Sequence, residues 1–353
     1  MPRDKSEPVP VLELLAPGLL GPIPPVFERP PRTPLLDRLL ARGRQSAAPD
    51  GGLSAALLAR FGAAASAPYC LTADDPDWDR TGFWMHADPV HLRPDRHLLR
   101  LFDARHLDIS AAEADALVAA LNDHFATDGL RFSAPSASRW YVRCDAPPTL
   151  STRPLADAIG RHVDGLLPSG PDAARWASLM NEAQMLLFQL PVNQRREAAG
   201  RPAVNGLWVW GAGVWQRPSA PDLPQRLLVE HARTPPPLAA GLASAASIAV
   251  ESADTVAALP AVGTLMLAER LQNAVADADP QAWTTAAEAL DQQLRPVVDA
   301  LRSGAFGRII IDACDGRRWS VRRGDLSRLR PSSLSRLWRR SPSLADRAAQ
   351  EVR

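Results

Sequence analysis

Cysteine is scarce in this 353-residue chain: there are three, Cys70, Cys144 and Cys314. They are far apart, odd in number and form no CxxC pair. That excludes a disulfide framework and fits a reducing, cytoplasmic setting. Lysine is almost missing. Lys5 stands against thirty-nine arginines, so the cations of this chain suit fixed hydrogen-bonded pairs better than loose hydration. Long apolar runs are missing too. Ala239–Val250 and Val256–Ala268 are too short to span a bilayer, and Pro260 breaks the second. The opening Met1-Pro-Arg-Asp-Lys-Ser-Glu7 has no apolar core, so no signal peptide is expected. A dominant charge of one sign is also missing: the formal net charge is +1, which excludes a global field toward nucleic acid or membrane. The balance is nevertheless uneven. Residues 302–353 hold thirteen Arg against five Asp and Glu, a local excess of +8.

What is present is globular. Apolar residues make up 46% and charged residues 22%, which excludes general disorder. The length allows one large α/β domain or two of ordinary size. The 34 prolines keep the elements short. Val9–Leu15 reads as a buried strand. Thr33-Pro34 opens a helix with Thr33 as N-cap, ended by Gly43. Gly51-Gly52 leads into a second helix through Phe61. Residues 66–80 are turn-rich and mark a boundary. Beyond it, strands are predicted around Gly82–Val90, Leu98–Asp103, Leu130–Phe132 and Arg139–Arg143, with a capping box, Ser110 to Glu113, opening a helix. A helix starts at Pro171. Gly206–Trp210 reads as an apolar strand, with weaker strand signals at Leu227–Glu230 and Ser247–Val250. Asp279-Pro280 caps a helix toward Leu301, and Gly307–Asp312 is the clearest buried strand. Strands alternate with helices at both ends and the texture differs between. The pattern predicts an α/β core interrupted by an inserted α+β domain. The expected borders are 1–65 and 200–330 for the core, 66–199 for the insertion and 331–353 for an Arg-rich tail.

Several constellations invite chemical readings. Ser54 follows two glycines and precedes an apolar helix, where unpaired N–H groups activate a nucleophile. Without a neighbouring base or metal, a capping role is the stronger reading. His86, His91, His97 and His106 lie among Asp88, Asp95, Asp103 and Asp108, but spacings of five, six and nine match no tight metal motif. Structural or solvated histidines are the default. Gly211-Ala-Gly213 after a strand suggests a phosphate turn, yet the third glycine of a dinucleotide fingerprint is replaced by Gln216. The arginines from Arg317 to Arg340 could neutralise phosphates, but no nucleic-acid module accompanies them, so pairing with the acidic remainder is favoured.

Several segments together resemble one family. Thr33-Pro-Leu-Leu-Asp37 through Gly43 looks like its TP-x-LD helix. Gly52-Leu-Ser54 through Gly62 resembles its nucleophile helix, and Asp103–Asn122 a stretch of its insertion. The fullest match is Pro191-Val-Asn193-Gln-Arg-Arg196, then Gly200-Arg-Pro-Ala-Val-Asn205 and Trp208-Val-Trp210-Gly-Ala-Gly213. The family is the archaeal type of cofactor-independent phosphoglycerate mutase, within the alkaline phosphatase superfamily. The likeness is closest to a bacterial offshoot, the RpfE-type regulatory proteins. It covers most of residues 9–213 and fades afterwards.

The resemblance implies an alkaline-phosphatase-like α/β core with a largely parallel sheet. It also implies two divalent metals, such as manganese or zinc, held by an Asp after the first strand, a serine and an Asp/His set near the chain end. This sequence departs from that pattern. The first strand ends Leu15-Ala16-Pro17, with no Asp. No histidine follows His231, so Asp312 and Asp315 are remnant metal candidates at most. Phe83-Trp-Met-His86 replaces a substrate-gripping Arg and Asn. The expectation is therefore a homologue without metals or catalysis, with Ser54 a vestigial nucleophile position. Its ligands are expected from Asn193, Arg196, Asn205, Gly211 and Gly213, and its partner is an unidentified protein or small phosphorylated ligand. Ser54, Asn205, Gly211, Gly213, Asp312 and Asp315 should ring any surviving pocket at the carboxyl ends of the core strands. The alternatives are a working mutase or phosphatase with a rearranged site that also uses His231, and a regulator that binds nucleic acid or protein through the tail.

Overall fold

The computed structural model describes residues 10–24, 29–95, 98–230, 235–253, 262–326 and 342–349. In chain order, the first elements are β1 (Val11–Leu15), α1 (Pro34–Arg42), β2 (Arg44–Ala47) and α2 (Gly52–Phe61). Then come α3 (Ala67–Asp74), β3 (Phe83–Asp95), β4 (Leu98–Asp103), α4 (Ala111–His124), β5 (Leu130–Ser136), β6 (Arg139–Cys144), α5 (Ala173–Gln189), α6 (Pro191–Ala198) and β7 (Gly206–Val214). The last are β8 (Arg226–Val229), α7 (Pro237–Ala246), β9 (Val250–Ser252), β10 (Thr264–Leu267), α8 (Arg270–Ala276), α9 (Pro280–Ser303), β11 (Arg308–Asp312), β12 (Arg317–Val321) and α10 (Leu344–Ala349). They fall into two compact units. One comprises residues 1–62, 218–239 and 246–353; the other comprises 63–217 and 240–245.

The first unit is built on a seven-stranded sheet of order β2-β12-β11-β1-β10-β8-β9. Strands β11, β1, β10, β8 and β9 run parallel, and β12 and β2 add an antiparallel edge. Strand alternation sorts the side chains. Leu12 and Leu14, Ile309 and Ile311, and Trp319 and Val321 share one core with α9 and α1. That core takes Trp283, Leu290 and Leu294 from α9 and Leu36, Leu39 and Leu40 from α1. Burial of each such side chain contributes about 1.5–3 kcal/mol. Helix α9 starts where the sequence says it should: the Asp279 carboxylate accepts from the backbone N–H of Gln281 and Ala282. It ends at Gly304 with φ of 86°. The opposite face of the same sheet carries Glu13, Ile310, Asp312 and Arg318.

The second unit is an α+β fold on a five-stranded antiparallel sheet. Its path is β4-β3-β6-β5, and β7 also pairs with β3. Met85, Trp140 and Val142 from the sheet pack with Leu117, Leu121 and Phe125 of the α4 region and with Trp176 and Leu187 of α5. The capping box forms as read: the Ser110 hydroxyl accepts from Glu113 N, and Glu113 reaches back to Ser110 N.

Two sequence expectations are corrected. The insertion does not end at residue 199. Strand β7, expected in the core, is an antiparallel partner of β3, from Gly206 opposite Val90 to Val214 opposite Phe83. Apolar character marks a strand as buried but does not say in which sheet. The core resumes at Pro218, and the middle of α7, Ala240–Ala245, groups with the insertion. The mixed α/β architecture with a parallel sheet and flanking helices is as expected. Among the described residues, no helix is long and apolar enough to cross a membrane. His97, His231 and the arginines from Arg328 to Arg340 lie outside the described residues.

Candidate functional site

The carboxyl ends of β1 and β11 lie side by side, Leu15 opposite Asp312. This is where an open parallel sheet usually presents its chemistry. The chain leaves β1 through Ala16, whose N–H donates to the Asp312 carbonyl at 2.9 Å. Asp312 is fully buried. Its Oδ1 accepts from the N–H of Cys314 at 2.8 Å. Its Oδ2 accepts from both Nε and Nη2 of Arg318, at 3.0 and 2.8 Å. The same Nη2 lies 3.2 Å from Oε1 of Glu13, and Nε of Arg60 lies 2.8 Å from the other Glu13 oxygen. Four charges thus alternate across the sheet face: Arg60, Glu13, Arg318, Asp312. Desolvated carboxylates persist only when paired in this way.

A hairpin builds the arrangement. β11 and β12 pair with Asp312 opposite Arg318. The turn between them places Cys314 at φ 58° and Gly316 at φ 85°. Cys314 is buried, and burial followed by the nearby Asp312 pushes its thiol well above the usual range. Asp315 does not join Asp312. It sits in the turn, pairs with Arg317 at 2.5 Å and accepts from the Arg317 N–H. A sequence signal for this was present: Asp-Gly between two strand-like runs marks a hairpin. Once the hairpin is drawn, Arg318 falls opposite Asp312. Glu13 and Arg60, by contrast, carry no signal of their pairing.

Ser54 is not an N-cap. Helix α2 begins at Gly52 with Gly51 as cap, at φ 122°. Ser54 is therefore the third helical residue, and it is half-buried. Among the described residues no group of three or more His, Cys, Asp or Glu side chains could hold an ion, and the Asp312 carboxylate is held by a guanidinium.

The other expected site residues, Asn193, Arg196, Asn205, Gly211 and Gly213, lie in the second unit. Asn193 is buried, and its amide is spent on the main chain. It donates to the carbonyls of Leu187 and Val204, both at 2.8 Å, and accepts from Val204 N at 2.9 Å. Arg196 has no exposed surface. It donates to Pro202 O at 2.9 Å, to Glu113 at 2.8 Å and to the Leu107 carbonyl. Asn205 imitates a strand residue toward Leu92, accepting from its N–H at 2.7 Å and donating to its carbonyl at 3.0 Å. Gly211, at φ 65°, and Gly213 let β7 approach the start of α3. A Cβ at Gly211 would fall 2.1 Å from Ser66 Oγ, and one at Gly213 2.4 Å from the Ala65 Cβ.

The second unit also holds a buried polar cluster that brings His86 and Asp88 together with Asp74, Arg139, Tyr141 and Trp210, partners the sequence did not assign to them. His86 stacks on Trp210 at 4.1 Å between ring centroids. Burial and then Arg139 pull its imidazole down to about 3. Trp210 donates to Asp88 at 2.7 Å, and burial pushes the Asp88 carboxyl up to about 7. Next to them, Asp74 accepts from Arg139 and from the Tyr141 hydroxyl. β7 carries an extra residue where Trp210 to Gly213 oppose His86 to Trp84, and His91 is tied to the Ala203 carbonyl at 2.9 Å.

No family model matches the chain. Curated proteins do. It is 28% identical over 195 residues, 52% of this chain and 48% of the other, to a 2,3-bisphosphoglycerate-independent phosphoglycerate mutase of Methanosarcina mazei. This chain is a homologue of the archaeal cofactor-independent phosphoglycerate mutases. A second such mutase, from Methanothermobacter thermautotrophicus, is 32% identical over 127 residues, 35% of this chain and 31% of that protein. The chain spans about half the length of the Methanosarcina mutase it matches. A solved structure of a Pyrococcus horikoshii protein aligns with 88% of this chain and 86% of its own, at 16% identity and a TM-score of 0.48. At the end of β11 the Asp312 carboxylate is paired with the chain's own Arg318.

Proposed function

We propose that the chain is a non-catalytic homologue of the cofactor-independent phosphoglycerate mutases, with a regulatory role exercised by binding a ligand or partner, as the likeness to RpfE-type proteins implies. One observation carries the reading: the Asp312 carboxylate is engaged by Arg318 and the Cys314 N–H. Three of its about four lone-pair sites are taken, and a metal would have to displace the guanidinium already paired with it. Phosphoryl transfer depends on cations that neutralise the transferring group, so losing them removes most of the catalysis. The residue leaving β1 is Ala16, which cannot bind a cation through its side chain. Arg317 and Arg318, the first arginines of the basic segment, are paired with Asp315 and Asp312, which weighs against a phosphate-binding tail that starts there.

The test is a 3-phosphoglycerate to 2-phosphoglycerate interconversion assay with manganese or zinc supplied, on the full chain and on Ser54→Ala. The expected outcome is no turnover by either protein. Turnover by the chain that vanishes in Ser54→Ala would return it to the working mutases.

A further inference from the structure

A cavity of about 870 Å³ in the first unit does not lie at the carboxyl ends of the core strands. It opens at their amino ends, where Val11 starts β1, Gln225 precedes β8, Gly263 precedes β10 and Arg308 starts β11. Arg60, Arg308 and Arg318 line it, against the carboxylates of Glu13 and Asp222. Glu13, buried on its floor, already serves two arginines. Its Oε2 lies 2.8 Å from Nε of Arg60 in an ion pair, and its Oε1 shares the Nη2 of Arg318 with Asp312. The terminal nitrogens of Arg60 and Nη1 of Arg318 are left without a carboxylate among the described residues. Arg308 has no carboxylate partner there at all, and Asp222 is exposed.

We infer that this cleft binds a small polyanion carrying phosphate or carboxylate groups. Paired arginines are held in place before the ligand arrives, so little side-chain freedom is lost on binding. Their remaining N–H groups have the planar fork geometry that matches phosphate and carboxylate oxygens. Apolar walls from Val11, Ala59 and Ile310 lower the local dielectric and strengthen the field of the unpaired Arg308. The volume lies within the range of small-molecule sites, and it exceeds what one phosphate fills. The cleft shares Glu13, Arg60 and Arg318 with the network that reaches Asp312, but its opening lies at the amino ends of the strands.

Isothermal titration of the full chain at low salt, with inorganic pyrophosphate in one arm and citrate in the other, tests the inference and separates the phosphate from the carboxylate source. One site per chain is expected for at least one probe. Arg308→Gln should weaken it about tenfold, without shifting the melting temperature, because the guanidinium anchors no other group. Asp222→Asn should tighten it by removing a like charge at the rim, and Arg93→Gln in the other unit should leave it unchanged. Absence of heat with both probes, or equal affinity in Arg308→Gln, overturns the inference.

Discussion

Arg318 bridges two acidic residues of neighbouring strands. Its Nη2 lies 2.8 Å from Asp312 and 3.2 Å from Glu13. Removing the guanidinium leaves both carboxylates buried with fewer partners. Arg318→Met should destabilise the chain by about 3–5 kcal/mol, read as a lower urea midpoint at unchanged slope. The double variant Asp312→Asn with Arg318→Met should recover part of the loss, giving a coupling energy of about 0.5–3 kcal/mol. Additive losses would mean that the pair is not coupled.

Asn193 and Arg196 hold α6 to the segment that leads into β7. Each serves main-chain groups with no solvent to replace it, so truncation strands buried donors and acceptors. Asn193→Ala should cost about 2–4 kcal/mol. Arg196→Lys should cost nearly as much, because an ammonium cannot reach Pro202, Leu107 and Glu113 at once. Thermal melts of both variants check this. A change within about 0.5 kcal/mol, the range of ordinary surface substitutions, would show the contacts to be dispensable.

Gly211 combines a positive φ of 65° with the nearest approach to Ser66 Oγ. Gly211→Ala adds a methyl where no space exists and strains the backbone, for an expected loss of about 2 kcal/mol or more. Adding Ser66→Ala removes the clashing oxygen but not the strain. The second substitution should therefore restore part of the stability, measured by the same melts, and no recovery would place the cost wholly in the backbone.

Burial lifts Asp88 from 3.8 to about 7. Burial, and then Glu230, lift Glu269 from 4.5 to about 7. Both acids hold protons in the folded chain that the unfolded chain has released, so their stability contribution is full below pH 4 and is lost as pH rises through 7. His86 acts in the opposite sense: its lowered value removes stability as pH falls below 6.5. The net fall in stability should be steepest at about pH 6 to 6.5, where both acids still hold most of their protons in the folded chain and the opposing effect of His86 is fading. Denaturation at pH 5.5 and pH 8 should show the chain less stable at pH 8, and Asp88→Asn should flatten the difference by roughly 2 kcal/mol. An unchanged difference in Asp88→Asn would exclude Asp88 as its source.

Local signals set much of this molecule without help from tertiary contacts. The Ser110–Glu113 box and Asp279 fix helix starts, because a cap is an exchange between residues two or three apart, and Pro34 starts α1 by its fixed φ at the first helical position. Ile309 to Ile311 announce a buried strand, and the missing acid after β1 is plain as Ala16. The tertiary structure alone decided which sheet took Gly206–Val214, since pairing with β3 joins residues more than a hundred positions apart. It alone also set Glu13 between Arg60 and Arg318. The physical reason is range: propensity and capping act within one turn of chain, whereas burial of a charge is decided by whichever distant group the folded sheet brings to neutralise it.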